Sequence, residues 1–151
     1  MDSSLVDYIS LHDLAVVRLA EKVNSPLRPA NLSSAIPPKA KSLALRTYGF
    51  GLTAIDVPPD GNLRNIDQKG KLDRKFDRFL FDQSHGQGIC FGDSGGPSFL
   101  RGTTELVSVT TNLTRYELGG IPGCRETGAA FLIRGDLPWI RSAIRTLRDK
   151  N

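Results

Sequence analysis

The sequence predicts an all-β domain, a sandwich or barrel of short strands, closed at its carboxy end by one amphipathic helix. Three observations carry this. Between residues 42 and 133 lie six short apolar runs, each bounded by Gly, Pro or Asn. The composition is globular and turn-rich, with 39% hydrophobic and 24% charged residues, 15 Gly and 9 Pro. After residue 135 the period changes, and Ile140, Ile144 and Leu147 recur at helical spacing. A chain of 151 residues makes one domain with a core of useful size.

In chain order, "LHDLAVVRLA" (11–20) has a compact Ala/Val/Leu centre and reads as a buried strand. "EKVNSPLRPANLSSAIPPKA" carries four prolines and reads as an extended connector. The strand candidates are then "SLALRTYGF" (42–50), "LTAIDV" (52–57), "FLF" (79–81), "PSFL" (97–100), "ELVSVTTNL" (105–113) and "GAAFLI" (128–133). The mixed-sign run "KGKLDRKFDR" (69–78) reads as a solvated face or loop. In "GDLPWIRSAIRTLRDKN", Asp136 is placed as N-cap and Pro138 in the first turn. Arg145, Arg148 and Lys150 suit the negative end of the helix dipole.

Composition excludes more than it assigns. No apolar run approaches the ~18–20 residues that span a bilayer. The opening "MDSSLVDYIS" has neither the basic nor the apolar region of a signal peptide. The net charge of +4, from 20 Lys+Arg against 16 Asp+Glu, comes without zinc-ligand spacing or a nucleic-acid-binding motif, so no nucleic-acid partner is expected. Cys90 and Cys124 permit one disulfide or two buried thiols, and their spacing does not choose between these. There is no Cys/His cluster, so neither a metal nor a cofactor is expected.

The chemistry concentrates in Gly92-Asp93-Ser94-Gly95-Gly96-Pro97. A serine hydroxyl attacks a carbonyl only when a base takes its proton, and the resulting oxyanion must meet preorganised donors. Glycines around the serine let adjacent N–H groups converge where side chains would block them.

This segment resembles the nucleophile motif of the trypsin/chymotrypsin-like serine peptidases, and the likeness extends along most of the chain. "HDLAVVRL" is similar to that family's aspartate strand, "LRPANL" to the connector between its two barrels, and "TYGFG" to its "GWG". "GAAFLIRGDLPWI" resembles the strand and Trp-Ile that precede its terminal helix. The resemblance implies a chymotrypsin-like Greek-key β-barrel, the second of a two-barrel peptidase, with the first barrel largely missing and a C-terminal helix. The implied boundaries are a remnant of the first barrel at 1–20, the connector at 21–41, the second barrel at 42–135 and the helix at 136–151. It implies Ser94 as nucleophile, Asp13 as the group orienting a histidine, and the N–H groups of Gly92 and Ser94 as oxyanion hole. Thr111 falls where the family has a serine bonded to the aspartate. Cys90 and Cys124 fall where the family has a disulfide bracing its specificity pocket, and Gly88, Ile89, Leu113 and Gly128 fall at that pocket.

Two parts of the family pattern are missing. The histidine segment, "AAHC"-like, should lie several dozen residues before the aspartate, and only twelve residues precede Asp13. His12 adjoins Asp13, and neighbouring side chains on a strand point to opposite faces. His85 sits in the polar stretch "DQSHGQG". Neither is expected to be the base. Nor is there an "IVGG"-like segment whose new N-terminal ammonium would pair with Asp93. Without that cation Asp93 should turn to solvent or other donors, leaving a zymogen-like, inactive oxyanion loop.

The expected function is therefore serine endopeptidase by family, with polypeptide substrates and peptidase inhibitors as partners, here a fragment of a secreted or periplasmic parent. The alternative is a non-catalytic relative that binds proteins through the same barrel. Gly88, six residues before Ser94, cannot attract Arg or Lys as an aspartate there would. Leu113 should narrow the pocket entrance and Gly128 leave the opposite wall open, so a small or medium apolar side chain is expected before the cut. Asn31-Leu32-Ser33 and Asn112-Leu113-Thr114 fit the N-glycosylation pattern.

Overall fold

The computed structural model describes residues 13–149 except 25, 55–56, 114–123 and 125–126, and of Asn112 and Leu113 it describes the backbone. His12 lies outside the described residues. The strands are β1 (Asn31–Leu32), β2 (Ser42–Gly49), β3 (Arg64–Asp73), β4 (Arg78–Asp82), β5 (Pro97–Leu100), β6 (Glu105–Leu113) and β7 (Thr127–Leu132); helix α1 (Leu137–Asp149) follows.

Strands β2, β3 and β4 form successive antiparallel hairpins, β5 returns to the other side of β2, and β7 closes the gap between β4 and β6. The ring β6-β5-β2-β3-β4-β7 is thus a closed six-stranded antiparallel barrel, which leaves no unpaired edge within it. Two residues of the connector add to it: β1 pairs in parallel with the start of β6, Asn31 opposite Glu105 and Leu32 opposite Leu106. The Ser33 hydroxyl then donates to Glu105 at 2.7 Å.

Alternation decides what fills the barrel. Leu45, Phe79, Phe81, Ile89, Val107, Ala130 and Leu132 point inward and pack with Ile36. A second cluster, Ile133, Leu137 and Ile140, docks α1 on the barrel wall beside Leu106 and Val109. The Asp136 carbonyl accepts the first helical bond, from Ile140 N–H at 2.8 Å, as an N-cap residue should.

Three expectations need correction. The described part of 11–20 is extended but not a buried strand: no described strand pairs with it, and Val17 and Leu19 are exposed. Its period of two survives in Leu14 and Val16, which pack against the α1 cluster; only one of its faces has a surface to meet. Within 52–57 no strand forms among the described residues, because Leu52 N–H bonds Phe91 O (2.9 Å) and Val57 N–H turns back to Ala54 O (3.1 Å). Conversely β3, the ten-residue "RNIDQKGKLD", has no apolar signature since its outer face is solvated; Gly70 is its one buried residue. The charged run 69–78 is the β3–β4 hairpin, with Asp77 at φ 47° in its turn, ion-paired to Arg134.

Candidate functional site

Ser94 and Asp13 are brought to the same residue, Thr111. Strand β6 carries a bulge: Thr110 opposes Ala130 and Asn112 opposes Ala129, so Thr111 is the extra residue between them. A bulge re-aims the groups it contains. Here the Thr111 hydroxyl donates to Asp13 Oδ2 at 3.1 Å, while the Thr111 carbonyl accepts from Ser94 Oγ at 3.0 Å. Asp13 and Ser94 are both exposed.

The turn that presents Ser94 is set by Gly92 at φ 91°, a left-handed conformation that a side chain would strain. It is tied to the barrel by Gly95 N–H to Thr110 O and Thr110 N–H to Gly96 O, each at 2.8 Å, and closed on itself by Gly96 N–H to Asp93 O (2.9 Å). The N–H groups of Gly92 and Ser94 have no acceptor among the described residues. His85 is exposed, in the turn that Gly86 N–H closes on Gln83 O, and bonds neither Ser94 nor Asp13.

Asp93 is half-buried and turns away from Ser94. Its Oδ1 accepts from Gly51 N–H and its Oδ2 from Cys90 N–H, each at 2.8 Å. A Cβ on Gly49 or Gly51 would collide with this carboxylate, at 1.8 Å from Oδ1 and 2.5 Å from Cγ respectively. The "GFG" of 49–51 is therefore what lets the β2 end close over Asp93. Beside it opens a cavity of ≈ 350 Å³, lined among others by Gly49, Gly51, Ile66, Gly88, Ile89 and Asp93.

Cys90 and Cys124 form a disulfide with Cα atoms 5.0 Å apart. It joins the approach to Ser94 to the segment before β7. Behind it, Ile89 and Gly128 are adjacent, and the space at Gly128 is filled. A Cβ there would lie 2.2 Å from Gln83 Oε1 and 2.6 Å from Ile89 Cγ1. Gln83 was not anticipated as part of this region. The signal was available in strand parity: Phe79 and Phe81 point inward, and Gln83 continues that alternation past the end of β4. The side chain of Leu113, the fourth expected pocket residue, is not among those the structure describes. No group of His, Cys, Asp and Glu able to hold a metal occurs among the described residues, and no described helix is long and apolar enough to cross a membrane.

A closed Greek-key barrel that exposes a serine in a glycine turn, backed by a disulfide and followed by a docked helix, is the chymotrypsin-like protease architecture. The chain belongs to the trypsin family, whose model, described as Trypsin, matches residues 3–140; this is a family of serine proteases, which are hydrolases. Among solved structures, the scabies mite inactivated protease paralogue S-I1 is similar with TM-score 0.57 and 18% identity, over 79% of this chain and 53% of that one. The thermostable serine protease AL20 from an extremophilic microorganism gives TM-score 0.52 and 13% identity over 78% of this chain and 49% of its own. HL collagenase gives 0.51 and 19%, over 68% and 46%. The chain spans about half the length of these structures. No curated protein matches the chain.

Proposed function

We propose that this chain is the carboxy-terminal part of a serine-type endopeptidase that works through an acyl-enzyme, with its general base supplied from outside this sequence. The observation that carries the reading is Thr111 bonded on one side to Asp13 and on the other to Ser94. In this mechanism an imidazole enters above Thr111, with one nitrogen toward Asp13 and the other toward Ser94 Oγ. Ser94 attacks the peptide carbonyl as its proton passes to the imidazole, and the oxyanion is met by the N–H groups of Gly92 and Ser94. The imidazolium then protonates the leaving amine, and water hydrolyses the ester by the same route.

As the chain stands, the Ser94 proton is directed at a backbone carbonyl, which cannot carry it away. Asp93 meets two neutral amides where an activated peptidase would offer an ammonium, and the cavity beside it has room for such a terminus. The chain alone is accordingly a zymogen-like, inactive fragment. In the same reading residues 1–20 belong to a first barrel, 21–41 connect, 42–135 form the second barrel and 136–151 the closing helix. The parent is secreted or periplasmic, where the Cys90–Cys124 disulfide persists, and it meets polypeptide substrates and peptidase inhibitors.

A fluorophosphonate probe tests this. The chain alone should label slowly. The chain expressed with the residues encoded upstream of Met1 should label at Ser94 at the rate of an active serine peptidase, and Ser94→Ala should abolish it. Rapid labelling of the chain alone would reject the inactive-fragment reading. A second reading, a non-catalytic relative that binds proteins, is favoured by Ser94 Oγ bonding a backbone carbonyl and no described imidazole. An upstream region without a histidine segment, in a stable folded product that never labels, would select it.

A further inference from the structure

Gln83 is completely buried, and both polar atoms of its side-chain amide have partners. Nε2 donates to Ile89 O and to Cys124 O, both at 2.9 Å, and Oε1 accepts from Ile89 N–H at 2.9 Å. A buried primary amide has two N–H donors and two acceptor lone pairs; here both donors and one lone pair are used. The amide occupies the gap between two glycines. A Cβ on Gly88 would lie 2.2 Å from Gln83 Cδ, and one on Gly128 would lie 2.2 Å from Gln83 Oε1. Any side chain at either position would expel it.

We infer that Gln83 sets the size of the side chain accepted before the scissile bond, by filling the base of the specificity pocket with a neutral amide braced between Gly88 and Gly128. This rests on the peptidase reading of Ser94 and refines its expected preference. The Gln83 amide carries no charge and both its N–H donors are taken, so it neutralises neither Lys or Arg nor Asp or Glu. A large aromatic side chain would have to displace Gln83 and leave Ile89 N–H and the carbonyls of Ile89 and Cys124 without their partner. Substrates with Gly, Ala or Ser before the cut avoid that penalty. The narrowing therefore comes from beneath, from a residue outside the glycine pattern, and it also ties the pocket base to Ile89, five residues before Ser94.

The test uses indole as an aromatic probe, titrated into the ¹⁵N-labelled chain, with the amide signals of Gly88, Ile89 and Gly128 followed by NMR. In the wild type these signals should stay in place at millimolar indole. Gln83→Ala should give saturable shifts, with indole bound about ten-fold or more tightly than by wild type. Gln83→Met, which refills the volume, should behave like wild type. In the histidine-complemented enzyme, Gln83→Ala should raise kcat/KM for Phe relative to Ala before the cut by a similar factor. Saturable shifts in the wild type overturn the inference, as does a folded Gln83→Ala chain that gains no indole; should that variant not fold, the wild-type titration still decides. The two readings fail separately. A Gln83→Ala chain that gains indole while Ser94 stays unreactive after complementation rejects the peptidase and keeps the filled pocket. A reactive Ser94 without the gain does the reverse.

Discussion

Replacing Asp93 with alanine removes the acceptor for two backbone N–H groups at once, those of Gly51 and Cys90. Hydrogen bonds to a charged group contribute about 1.5–3 kcal/mol each. Asp93 is only half-buried, so water can partly replace the carboxylate and the lower end applies. The two together come to about 3 kcal/mol. With a urea slope of about 2 kcal/mol per molar, the unfolding midpoint should fall by about 1.5 M. Asp93→Asn keeps one carbonyl acceptor but turns an NH₂ toward the other backbone N–H, and should lie between wild type and alanine. Amide hydrogen exchange localises the effect: Gly51 and Cys90 should lose protection in Asp93→Ala while the β2–β3 ladder keeps it. A midpoint equal to wild type, or unchanged protection at those two amides, would refute the claim that the carboxylate holds the β2 end against the nucleophile turn.

Four other outcomes are expected. The disulfide spans 34 residues, which in the chain-entropy model corresponds to about 4 kcal/mol; a Cys90→Ala/Cys124→Ala double variant that loses under about 1 kcal/mol in denaturant unfolding would contradict it. Gly128→Ala should force the Gln83 amide out of its site at a cost of about 2 kcal/mol, visible as loss of the protected Gln83 side-chain NH₂ signals; their persistence would count against the close packing. Thr111→Val deletes the hydroxyl that holds the exposed Asp13, so global stability should change by under about 1 kcal/mol, while limited proteolysis in 13–24 speeds up. The carboxyls of Asp60, Asp67 and Asp82 are held below the usual carboxylate range, chiefly by hydrogen bonds from Arg64, Arg46 and Ser84 N–H. A depressed folded pKa means stability that is present above the unfolded value of about 4 and is lost as pH falls further. The melting temperature should thus hold from neutrality to about pH 4 and drop modestly below it, since these groups are exposed; a rise on acidification would reverse the sign.

Much of the barrel was legible because β2, β4 and β7 carry core residues at alternate positions, Leu43 and Leu45, Phe79 and Phe81, Ala130 and Leu132. Strand β3 was not, for its outward Asn, Asp and Lys dominate the pattern, and its inward face includes the polar Gln68, bonded to the Thr47 hydroxyl, and Gly70. Segment 11–20 misled in the opposite direction. Its Val and Leu residues suit a strand, yet burial depends on what lies across from them, and only Leu14 and Val16 find a surface. At the site, the motif around Ser94 could be read from residue order, whereas the Cys90–Cys124 bond was implied only by the family resemblance, because spacing left two thiols equally open. The filled pocket base could not, because glycines at 88 and 128 look the same in sequence whether the gap between them is empty or taken.

By itself, then, the sequence determined the family and the alternation that builds a closed barrel. These are properties of residue type and local spacing, and they hold whichever way the chain is packed. Tertiary structure alone decided that a bulge makes Thr111 the common partner of Asp13 and Ser94, that Asp93 meets Gly51 and Cys90, and that Gln83 occupies the space two glycines vacate. Each of these is a contact between residues distant in sequence, whose geometry exists only once barrel closure has fixed the register of the strands that carry them.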